Sequence, residues 1–333
     1  MFFYFYAILI LMNLLLLTTL ETILLIVVII LALAFSAVVF FYTTGKTLAS
    51  LTLKRDSYLG RGIGRKLKKL SKRYRINYNW WDKFPNEVYN IESDDGLQLY
   101  ARIVKQQQPT DKLAIVLHGF MGNYKDMQSY CKYFYEKGFN ILAIDARAHG
   151  MSGGEYAGMG WLDRLDLLKW INFAITKFGK RTKIVLFGCS MGAATVCMAC
   201  GEQLPANVKC AISDSAYDSV YNQFYFVLKN TMRLPAKSLL GIFDTYNRYF
   251  IGPPLKEQST IEQVKKSKTP ILFIHGTGDN FVPYEMVYKL YNATDPELRD
   301  IFIVKHAWHT EAQAKNPKKY NNKLDEWIDK YIN

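Results

Sequence analysis

Hydrophobic positions fall into two regimes along this chain. From Met1 to Thr43 they are almost uninterrupted: the only charged side chain is Glu21, and neither Gly nor Pro occurs. Thr22–Tyr42 alone is 21 uncharged residues, about 32 Å as a helix, which matches a bilayer core of about 30 Å. The pattern predicts a transmembrane anchor over residues 1–45. Met1–Leu20 is apolar as well, so two short spans joined near Asn13–Glu21 stand as an alternative to one. A single helix of about 40 residues would reach about 60 Å, too long to sit upright in one bilayer. A cleaved signal peptide fits less well, because the start Met-Phe-Phe-Tyr-Phe-Tyr carries no basic side chain.

The second regime alternates. Trp80–Pro85 marks the entry into a folded part, residues 80–333. Val88–Ser93 and Leu97–Val104 read as two strands around the turn Asp94-Asp95-Gly96. Short, near-continuous apolar runs then recur at Leu113–Leu117, Asn140–Ile144, Ile184–Phe187, Cys210–Ser213, Ile271–His275 and Ile301–Val304. Runs of that kind suit strands buried on both faces. Helical stretches such as Trp161–Phe178 and Pro283–Tyr291 lie between them. The expected fold is α/β, a mostly parallel central sheet with helices on both faces. One interval breaks the rhythm. About 55 residues, 214–268, precede the next strand and are rich in Tyr and Phe, too long for a bare loop, so a helical cap insertion is expected there.

Charge changes the picture at one place. Between Lys46 and Arg75 there are eleven Lys or Arg against the single acid Asp56, which accounts for +10 of the net +13. Residues 46–79 are therefore expected to be a basic juxtamembrane linker. Basic residues beside a span mark its cytoplasmic side and can rest on anionic lipid. The folded domain is expected in the cytoplasm with either number of spans. Nucleic-acid binding is the rival reading of such a run, and the neighbouring span makes it unnecessary. The five cysteines are odd in number and sit mostly in apolar stretches, so no disulfide framework is expected.

Candidate chemistry concentrates in Lys183–Cys200. A strand (Lys183–Phe187) and a helix (Ala193–Gly201) flank Gly188-Cys189-Ser190-Met191-Gly192. Gly188 and Gly192 permit a sharp turn that presents Ser190 at a helix N-terminus, where developing negative charge is favoured. Four further motifs follow a fixed order: His118-Gly119-Phe120-Met121-Gly122 after a strand, Asp145-Ala146-Arg147-Ala148-His149-Gly150-Met151-Ser152-Gly153, Gly276-Thr277-Gly278-Asp279-Asn280-Phe281-Val282-Pro283, and His309 after the last strand. In this set, from Tyr89 onward, the chain resembles the α/β-hydrolases, with Ala148 where Gly is usual. More narrowly it is similar to membrane-anchored members described as serine-aminopeptidase-like or prolyl-oligopeptidase-like.

The resemblance implies roles. Ser190 would be the nucleophile, His309 its general base and Asp279 the acid that orients the ring. Backbone N–H groups of Phe120 and Met191 would hold the oxyanion, with His118, Gly119, Gly188 and Gly192 supporting the turns. His306 is the rival base and Asp214 the rival acid. Asp145 and His149 read as loop scaffolding, and His275 as a packing or hydrogen-bonding residue. Cys189 reads as buried filler. Cys197-Met198-Ala199-Cys200 lies too far into its helix for a redox pair and has no second pair for zinc. Gly60–Gly64 mimics part of a nucleotide loop without a preceding strand.

The expected protein is a membrane-anchored serine hydrolase that uses no metal or organic cofactor. A small-molecule or lipid acyl ester is the expected substrate, with a peptide or amide as the alternative and a non-catalytic lipid- or partner-binding role as a further one. The sequence sets neither ester against amide nor an oligomeric state.

Overall fold

The computed structural model describes residues 2–55, 57, 62, 78–85 and 87–332. Except for Gly62, the Gly60–Gly64 stretch and the basic residues from Arg61 to Arg75 lie outside the described residues.

The apolar N-terminal regime forms one helix, Phe2–Thr52, about 76 Å long at 1.5 Å per residue. It runs without a break through Asn13–Glu21 and continues past residue 45 into the stretch expected as linker. The many Leu and Ala residues and the lack of Gly or Pro before Gly45 favour the continuity. Its apolar window buries nothing against the rest of the chain, so it is not a core helix. Contact with the body begins at Tyr42. Ala49 and Leu53 are buried, and a Cβ added to Gly45 would collide with Tyr246, so that glycine allows close approach to the cap helix Ala236–Phe250. The following residues are tied down: Arg55 N–H donates to Glu155 O at 2.9 Å, and Ala157 N–H to Leu53 O at 2.9 Å. The Arg55 guanidinium donates to the carbonyls of Ser152 and Gly150. Arg55 thus braces a loop of the body, although by count it belongs to the basic cluster.

Among the described residues, eight strands form one sheet: β1 (Glu87–Glu92), β2 (Gln98–Val104), β3 (Lys112–Leu117), β4 (Asn140–Asp145), β5 (Lys183–Cys189), β6 (Val208–Asp214), β7 (Ile271–Gly276) and β8 (Arg299–Val304). Their spatial order is β1-β2-β4-β3-β5-β6-β7-β8. The β1–β2 and β2–β4 pairs are antiparallel, and the pairs from β4 to β8 are parallel. Alternation sorts each strand between two cores. Leu113, Ile115 and Leu117 face the core shared with helices Asp163–Phe178 and Met191–Ala199. Ala114 and Val116 face the one shared with Gln128–Glu136 and Pro317–Tyr331. Both faces are covered, as the unbroken apolar runs require.

The chain leaves β3 toward β4 on one side and later enters β5 on the other. That reversal opens a crevice at the carboxyl ends of β3 and β5. The 214–268 interval is helical, with Val220–Phe226, a π-helical turn Val227–Thr231, Ala236–Phe250 and Thr260–Val264. Its first elements lie over that crevice and its long helix meets the end of the N-terminal helix.

Candidate active site

Each site residue stands just beyond the carboxyl end of a strand. β5 ends at Cys189, and the next residue, Ser190, has φ 55° and ψ −117°, a conformation costly for a residue with a Cβ. The surroundings impose it. A Cβ on Gly188 would collide with the backbone of Gly192, and one on Gly192 would lie 2.5 Å from Leu117 O. The two glycines let strand, turn and helix pack this closely. Ser190 N–H is held by Asp214 O at 2.8 Å.

The structure brings Ser190, His309 and Asp279 together. Ser190 Oγ lies 2.8 Å from His309 Nε2, and His309 Nδ1 lies 2.6 Å from Asp279 Oδ2. A carboxylate only accepts, so Nδ1 carries the proton and Nε2 is free to accept from the serine hydroxyl. Asp279 is buried and held by four donors. Its Oδ1 accepts from the N–H groups of Phe281 and Val282 at 2.9 and 2.8 Å. Its Oδ2 accepts from His309 and from His275 Nε2 at 3.1 Å. Burial works to raise its pKa, but His309 and the bond from His275 outweigh that and hold it well below the usual carboxylate range.

The rivals lie elsewhere. His306 is exposed at a turn with φ 57°. Asp214 accepts from Tyr320 Oη and Ser215 Oγ at 2.8 and 2.9 Å rather than from an imidazole. Cys189, Cys197 and Cys200 are buried free thiols, and burial pushes each pKa up. Of the two roles expected for His275, packing or hydrogen bonding, it has the second, as the other imidazole on Asp279. Its position four residues before Asp279 on the same strand–loop connection was the available signal.

Gly119 sits against the serine: an added Cβ would lie 3.1 Å from Ser190 Cβ. This brings the Phe120 backbone to the nucleophile, beside Met191 at the start of its helix. Neither N–H donates to a backbone acceptor among the described residues. Two histidines fix the loop. His118 Nδ1–H donates to Gly119 O at 2.7 Å, and its Nε2 accepts from Ala146 N–H at 3.0 Å. His149 donates to Arg147 O at 2.7 Å and accepts from Met121 N–H at 2.9 Å. Asp145 scaffolds the same region by accepting from the Tyr124 and Met151 N–H groups. Ala148 keeps the left-handed conformation usual for Gly there, with φ 58°.

Burial lowers the pKa of His118 to about 4 and that of His149 to about 3. The unfolded chain binds these protons below about 6.5 and the folded chain does not, so their contribution to stability is lost as pH falls. Asp163, pushed up to about 6 by burial, acts in the opposite sense between about 6 and 3.8. Comparison with His118→Gln isolates the histidine. Between pH 7 and 4.5 the wild type is expected to lose about 2 kcal/mol more than the variant, measured from urea midpoints at each pH.

An apolar cleft opens beside the serine. Phe120, Met191, Phe281 and Val282 line it from the body, and Tyr217, Gln223, Phe224 and Val227 from the cap. No charged side chain is among its lining residues. The sequence pointed to the aromatic cap but gave no sign of Gln223, whose neighbourhood depends on how the insertion folds over the crevice.

Residues 108–246 match the family model described as serine aminopeptidase, S33. Asp279 and His309 lie beyond that match. Among curated relatives, the uncharacterized Bacillus subtilis protein YqkD is 28% identical over 66% of this chain and 72% of its own length. Escherichia coli YfhR (strain K12), also uncharacterized, is 26% identical over 67% and 73%. Among solved structures, the Pyrococcus furiosus esterase Pf2001 superposes with a TM-score of 0.63 at 23% identity, over 78% of this chain and 97% of its own. The Pyrococcus horikoshii acylaminoacyl peptidase gives 0.56 at 17%, over 77% and 44%.

Proposed function

We propose that this chain, which has the α/β-hydrolase fold, is a membrane-anchored serine hydrolase cleaving an acyl ester through an acyl-enzyme on Ser190. The observation that carries the reading is the run of hydrogen bonds from Ser190 Oγ through His309 to Asp279. His309 Nε2 takes the hydroxyl proton as Oγ attacks the acyl carbon, and Asp279 stabilises the imidazolium that forms. The Phe120 and Met191 N–H groups receive the oxyanion. The imidazolium then protonates the leaving alcohol, and water activated by the same nitrogen releases the acid.

An ester is favoured over an aminopeptidase substrate by the cleft. A free amino terminus would bring an ammonium into a lining with no carboxylate, and an unpaired charge there is costly. The family match to serine aminopeptidases and the acylaminoacyl peptidase neighbour support a hydrolase and keep amide cleavage as the second reading.

Membrane attachment is supported by the exposed apolar helix and by the aromatic residues where it leaves the body. Tyr42 packs on Tyr246 and Phe250, with ring centroids 5.8 and 5.4 Å apart. Tyr249 and Phe250 stay exposed on the cap, and Lys46 stands over the Tyr42 ring. Rings and a lysine at that level suit the boundary between lipid and water, which would set the cap at the membrane surface. The basic stretch would place the catalytic domain on the cytoplasmic side.

The test uses detergent-solubilised full-length protein with p-nitrophenyl acyl esters of graded chain length and aminoacyl p-nitroanilides. Turnover of the esters well above the anilides is expected. Turnover of the anilides alone would transfer the site to the aminopeptidase reading.

A further inference from the structure

Among the residues lining the cleft beside Ser190, one carries a polar atom left over. Tyr217 also lines it, but its hydroxyl is used, donating to Met159 O at 2.8 Å. Gln223, on the cap helix Val220–Phe226, is 3% exposed. Its Nε2 donates to Phe281 O at 2.9 Å. A carbonyl only accepts, so this bond fixes the orientation of the carboxamide and assigns Oε1 to the other side. There Oε1 is buried without a hydrogen-bond partner, and of the buried polar atoms so left among the described residues it alone belongs to a residue lining the cleft.

A buried acceptor with no donor is unfavourable, and an apolar chain filling the cleft would seal it in that state. A chain carrying a donor would relieve it. The helix bearing Gln223 runs into the π-helical turn Val227–Thr231, which supplies Val227 to the same lining. Such turns are frequent at functional sites.

We propose that the acyl group accepted here carries a hydroxyl or amide N–H within its chain, and that Gln223 Oε1 is the acceptor that selects it. This rests on the serine-hydrolase reading and narrows its substrate class. Selection by one hydrogen bond in an apolar cleft works in both directions. The matching donor is bound, and a plain chain of equal length leaves the acceptor unpaired. Gln223 touches no reacting atom in this scheme, so it determines specificity and leaves the chemical step to Ser190, His309 and Asp279.

The experiment compares p-nitrophenyl butyrate with its 3-hydroxybutyrate, and p-nitrophenyl hexanoate with its 6-hydroxyhexanoate and the N-acetyl-β-alanine ester, on full-length solubilised wild type and Gln223→Met. The wild type is expected to prefer at least one donor-bearing ester by about tenfold or more in kcat/KM. In Gln223→Met that ratio should fall to near one, through loss on the donor-bearing ester. Damage to the triad from losing the bond to Phe281 O would lower both esters alike and leave the ratio unmoved. A wild type with no such preference, or a preference that survives in Gln223→Met, overturns the proposal. Turnover of any of these esters by the wild type reports on the hydrolase reading by itself. Its absence would sink both, and its presence without selectivity would sink this inference alone.

Discussion

Ser190→Ala is expected to abolish covalent labelling by a fluorophosphonate probe and to lower ester turnover by about 10⁴-fold or more. The probe reacts only with a hydroxyl whose proton is being removed, and Ser190 is the hydroxyl within 2.8 Å of a bare imidazole nitrogen. Alanine has no oxygen to acylate. The variant should fold. Ser190 is held by its backbone through the bond to Asp214 O, the left-handed conformation is no worse for Ala than for Ser, and the loss is one buried hydroxyl. Equal thermal midpoints with no labelling would assign the effect to chemistry. Labelling that persists in Ser190→Ala would move the nucleophile elsewhere and end the present assignment.

Asp279→Asn is expected to cost about 10³- to 10⁴-fold in kcat with little change in KM. Asparagine keeps one acceptor, and the N–H groups of Phe281 and Val282 already claim the Oδ1 position. The new NH₂ would then replace Oδ2, where two imidazole nitrogens now donate. Donor would face donor. His309 escapes by shifting its proton to Nε2, which can no longer accept from Ser190. The lost carboxylate also leaves any imidazolium without its counter-charge. A variant retaining more than a tenth of wild-type kcat would mean that another acid orients His309. Asp214 would be the first suspect, and Asp214→Asn the comparison.

The central strands were legible because burial on both faces leaves a strong local mark. The eight runs read from the sequence each coincide with a strand to within about two residues, as Ile184–Phe187 does with β5. The turn at Ser190 was legible because only glycine tolerates backbone as close as Leu117 O is to Gly192 and Gly192 O is to Gly188. The linker beginning at residue 46 was not. Gly45 and the charge of Lys46 look like an ending, yet the helix continues to Thr52 because Ala49 and Leu53 bury themselves against the body.

Motif order assigned Asp279 over Asp214 and His309 over His306, but only the folded chain supplies the physical reason. His306 and His309 are three residues apart, and which of them faces the serine depends on the turn after β8. That turn leaves His306 exposed and lays His309 between Ser190 and Asp279, residues 119 and 30 positions away in the chain. The second imidazole on Asp279 and the unpaired oxygen of Gln223 are likewise products of packing. By itself the sequence determined what short-range sterics and periodicity control: the long apolar helix, the strands, the glycine turn and the types of residue able to do the chemistry. The tertiary structure alone decided which donors and acceptors meet and which are left without partners, because hydrogen bonding acts over about 3 Å between groups that the chain brings together only once it is folded.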